Sequence, residues 1–62
     1  MNEDTNMSIR KFLKQVGVTS QQAIEGALRD AGDTNGQTFE AKVVLTVNGL
    51  DVEHTITGEI KG

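Results

Sequence analysis

Chemistry needs a nucleophile, an acid–base pair or a cluster of metal ligands held on one face of the chain. Few residues here qualify. His54 is the only histidine, and histidine is the residue type that changes charge near neutral pH. The acids beside it in sequence are Asp51 and Glu53. That stretch alternates apolar and polar residues, and successive side chains of a strand point to opposite faces. Asp51 and Glu53 therefore face away from His54 and form no acid–base pair with it. Two carboxylates alone are also poor ligands for Ca²⁺. Ser8 and Ser20 fall near expected helix ends with no base beside them. Gly32 and Gly36 are too sparse to cradle a phosphate. With no cysteine and one histidine, neither a thiolate nor a histidine-rich metal site can be built. The sequence therefore predicts no catalytic residue, no cofactor and no metal, and a protein that is not an enzyme.

Five residues stand out as candidates for contact with a partner: Arg10, Lys11, Lys14, Val44 and His54. Arg10, Lys11 and Lys14 form the only basic cluster, whose ordinary reading is a solvated helix face. His54 lies by parity on the apolar side of its strand, as a half-buried rim residue or as a ligand- or pH-sensing contact. Val44 sits in the middle of the opposite, threonine-rich sheet face. That face suits water, and a flat partner could also rest on it.

The elements that position these residues centre on a hairpin. The arms Thr38–Val47 and Leu50–Ile60 both alternate, and Asn48-Gly49 lies between them, a strong signal for a two-residue turn with positive φ at both positions. Such a turn predicts Val47 opposite Leu50, Leu45 opposite Val52, Val43 opposite His54, Ala41 opposite Ile56 and Phe39 opposite Gly58. All of these share one face. Phe39 then covers Gly58; the alternative is a bulge at Gly58.

Two short helices are expected to cover that face. The first spans residues 6–17, with Asn6 as N-cap, the stripe Ile9, Phe12, Leu13 and Val16, and a stop at Gly17. The second spans residues 20–31. Thr19 and Gln22 make a capping box ahead of it, Ala23, Ile24, Ala27, Leu28 and Ala31 form its buried face, and Gly32 ends it. Gly26 lies off the apolar stripe of that helix, as a tolerated surface glycine or a point of close approach by a partner chain, and residues 1–5 are a loose end. The predicted fold is a single α+β domain in the order α-α-β-β, both helices on one face of an antiparallel hairpin.

A chain of 62 residues is marginal on its own core, and disulfides are absent. Two strands also leave two unpaired edges. These facts predict a protein partner or a homodimer, paired edge to edge or through the helices. The net charge of −3 gives no general attraction to nucleic acid or to anionic lipid. No apolar run is long enough to span a bilayer, and the polar start is unlike a signal peptide, so the expected location is the cytoplasm.

The stretches Met1-Asn2-Glu3, Asn6 to Lys14, Val16 to Gln21 and Ile24-Glu25, with Leu45-Thr46-Val47, Gly49-Leu50, His54 and Thr57 to Ile60, resemble a family of short bacterial proteins of unknown function. The resemblance spans nearly the whole chain. It implies a bacterial source and a small stand-alone protein, and it supplies no activity and no site residue. The function read from the sequence is a protein-interaction or regulatory module. The alternative is a winged-helix-like nucleic-acid binder, since two helices and a hairpin follow that order. An acidic wing tip and a second helix with only Arg29 as a cation speak against it.

Overall fold

The computed structural model describes residues 1–62 as one helix followed by one hairpin. Helix α1 is Glu3–Ala31, strand β1 is Thr38–Thr46 and strand β2 is Glu53–Lys61. The two expected helices are thus a single helix of 29 residues.

Local chemistry accounts for the difference. The cap is Asn2, not Asn6. The Thr5 backbone N–H donates to Asn2 Oδ1 at 2.8 Å, and Thr5 Oγ1 donates to the same atom at 2.9 Å. Glu3 and Asp4 fill the first turn, where the helix dipole favours negative charge. The expected loose end is therefore mostly helix. Asn2→Ala is expected to cost about 1 kcal/mol, read as a lowered Tm by circular dichroism.

Gly17 does not stop the helix, because it is not among the glycines with positive φ. Thr19 makes no capping box. Its Oγ1 donates instead to the Gln15 carbonyl at 2.7 Å, a bond back along a continuing helix. The two expected stripes are also in phase. Val16 and Ala23 lie two turns apart, so Ile9, Phe12, Val16, Ala23, Ala27 and Ala31 share one face of a continuous helix. The helix ends at Gly32, where φ is 86° and the N–H bonds the Arg29 carbonyl at 3.2 Å. A turn from Thr34 to Gln37, closed by a 3.0 Å bond, then reverses the chain into β1.

β1 and β2 pair antiparallel, with Phe39 opposite Ile60, Ala41 opposite Gly58, Val43 opposite Ile56 and Leu45 opposite His54. This differs by two residues from the register a two-residue turn imposes. The cause lies at Asn48-Gly49. Gly49 has φ 91°, Asn48 does not have positive φ, and the Leu50 N–H bonds the Val47 carbonyl at 3.1 Å. That is the pattern of a type II turn, set inside a longer connection over residues 47–52. Pairing runs without interruption through Gly58, which faces Ala41 rather than Phe39 and forms no bulge. A shift of two preserves the faces, since side chains alternate with period two.

α1 lies over the apolar side of β1. Phe39, Ala41, Leu45 and Ile60 on that side are half-buried, as are Val16, Ser20 and Leu28 on the helix; Gly26, expected to be exposed, is half-buried as well. The contact is loose. No residue is fully buried, and no Cα of α1 comes within 8 Å of a strand Cα. Every side-chain hydrogen bond joins residues at most four apart, so none ties helix to sheet. The molecule measures 46 × 19 × 16 Å with a radius of gyration of 15.1 Å, against about 11 Å for a compact chain of this length. Its accessible surface is 5589 Å², about 1,700 Å² more than its mass predicts for a closed monomer.

Candidate interaction surface

The surplus surface has a definite location. The N-terminal half of α1 carries Ile9, Phe12 and Leu13 one turn apart. The hairpin brings Leu45, Val47 and Leu50 opposite them. Together with Ser8 they line a groove of ≈ 380 Å³ that is apolar apart from that serine. Two features of the sequence place these residues. The helical period aligns Ile9, Phe12 and Leu13, and the type II turn at Gly49 brings Leu50 over beside Val47. Phe12 is 52% exposed and Leu50 68% exposed. A smaller depression of ≈ 170 Å³ adjoins it, lined by Phe12, Val16, Val43, Val44, Leu45 and Thr46. Consecutive β1 residues from both faces line it and no β2 residue does, so it opens along the outer edge of β1.

Apolar residues in the groove have no polar partner to satisfy and no proton to exchange. The arrangement offers contact area, not reactivity. No three metal-ligating side chains come together anywhere in the chain.

The five residues singled out from the sequence do not form one site. Arg10, Lys11 and Lys14 are exposed on α1, off the apolar stripe. Val44 is 52% exposed, on the sheet face away from the helix and at the lip of the smaller depression. His54 is exposed, on the helix-facing side of β2 opposite Leu45. The winged-helix alternative loses its helix pair, because residues 17–20 are helical and no second helix exists to enter a groove of DNA.

The groove residues themselves read in the sequence as core. Ile9, Phe12 and Leu13 have the spacing of a buried stripe, yet they are 44%, 52% and 47% exposed. The signal available was width. A two-stranded sheet, its strands only about 5 Å apart, is too narrow to cover a helix about 10 Å across with its side chains.

No helix is long and apolar enough to cross a membrane. Comparison with curated proteins and with solved structures finds no match. The chain belongs to a family of unknown function, DUF6494, whose model matches residues 1–62.

Proposed function

We propose that this protein is a small binding or regulatory module without catalytic activity, working in the cytoplasm through protein contacts at the groove between α1 and the hairpin tip. One observation carries the reading: an apolar groove whose aromatic and aliphatic walls stay about half exposed in a chain with no fully buried residue. Exposed apolar patches rimmed by polar residues mark protein contact sites in soluble chains. The cluster of Arg10, Lys11 and Lys14 on the same half of α1 supplies a polar surround that would set orientation rather than affinity.

A photo-reactive residue in place of Ser8, at the rim of the groove, tests this in the native cell. The expected result is a covalent adduct to a protein, lost when Leu50→Asp is added. Leu50 lies in the connection between the strands and is 68% exposed, so the fold survives that change. Absence of an adduct, or one indifferent to Leu50→Asp, would contradict the reading.

A further inference from the structure

We infer that two copies of the chain pair through the outer edges of β2, about a two-fold axis at Thr57, to form a four-stranded antiparallel sheet. This surface is separate from the groove, and the inference does not depend on the function proposed for it.

Pairing at a sheet edge depends on which backbone groups are free. The Gly62 N–H bonds the Gln37 carbonyl at 2.8 Å, just past the end of the ladder. In an uninterrupted antiparallel pair such bonded positions recur every second residue. Even-numbered residues of β2 therefore bond β1, and Glu53, Thr55, Thr57, Glu59 and Lys61 aim their N–H and C=O groups at the open edge. That edge is nine residues long, with no bulge, and the chain contains no proline to guard it.

Charge then selects the register. With Thr57 opposite Thr57 of the second copy, the strands overlap over their whole length, and Glu53 of each copy faces Lys61 of the other. Sliding by one step in one direction sets Glu53 against Glu59 twice. Sliding the other way leaves Glu53 with no opposing charge. On the helix-facing side the chosen register sets Ile56 beside Gly58 of the second copy. A Cβ on Gly58 would meet nothing within 4 Å, so there is room for that side chain. Pairing through β1 is less favourable, because only a slid register with shorter overlap sets Glu40 against Lys42. Full overlap there sets Lys42 against Lys42, and α1 lies along that edge.

Symmetry puts both helices on one side of the new sheet. They flank a strip made of His54, Ile56 and Ile60 from both copies. In the single copy Ile56 is 55% exposed.

Sedimentation equilibrium of the full chain, with three variants, tests the proposal. The expected mass is twice 6.7 kDa. Glu53→Lys or Lys61→Glu alone is expected to raise the dissociation constant about tenfold, since each change creates two like-charge contacts by symmetry. The double exchange E53K/K61E is expected to restore the wild-type value. Within one copy these residues face only Thr46 and Thr38, so the exchange leaves the hairpin itself undisturbed. Thr57→Pro removes an N–H that β1 does not use and is expected to give monomers. Hydrogen exchange should show the Thr55, Thr57 and Glu59 amides protected in the dimer. A mass of 6.7 kDa at all concentrations, a double exchange as weak as the single ones, or fast exchange at those three amides would each overturn it.

Discussion

Gly17→Pro is expected to abolish the folded state. Gly17 lies inside α1, fourteen residues before its end at Ala31. Proline there removes a backbone bond and drives its ring into the preceding turn, at about 3 kcal/mol or more. Small domains hold only about 5 kcal/mol in total, and this one has no buried core to absorb the loss. Gly17→Ala is expected to act in the opposite direction. A Cβ at Gly17 meets nothing within 4 Å, and alanine is favoured over glycine in a helix interior by about 1 kcal/mol. Far-UV circular dichroism during thermal unfolding reads both. If the chain instead turned at Gly17, alanine would destabilise it.

The second large effect separates the two sheet faces. Leu45→Asp is expected to unfold the protein, and Val44→Asp to leave it folded. Leu45 is half-buried beneath α1 and lines both depressions, so an aspartate there places a charge against Phe12 and Val16 with no partner. The cost is several kcal/mol. Val44 points the other way and is 52% exposed, where substitutions change stability by about 0.5 kcal/mol or less. Denaturant titration of the two variants gives the comparison. Alternation alone makes Val43 look equally critical, but it is 45% exposed because the helix sits loosely over this part of β1.

These residues show what could be read from the chain alone. The hairpin and its two faces were legible because alternation has only two outcomes, and both arms agreed. The register was not, because Asn48-Gly49 is compatible with more than one turn. Positive φ at both positions gives a two-residue hairpin, whereas positive φ at Gly49 alone gives the wider connection observed. The long helix was obscured by Gly17 and Thr19. Each is a credible boundary residue by type, yet Thr19 bonds back to Gln15 and the apolar phase runs straight through. Phase over several turns outweighed two local stop signals. The groove was hidden for a related reason. Ile9, Phe12 and Leu13 carry the same pattern whether a partner covers them or not, and only the narrowness of the sheet separates the two cases.

The pairing inferred above makes a single copy incomplete, stabilised by joining a second. Its most direct test is the thermal midpoint measured over about a hundredfold range of chain concentration, since a state stabilised by association unfolds at a temperature set by mass action. A Tm that climbs steadily with concentration is the predicted result. A high Tm that stays constant on dilution would show a closed monomer and overturn the pairing.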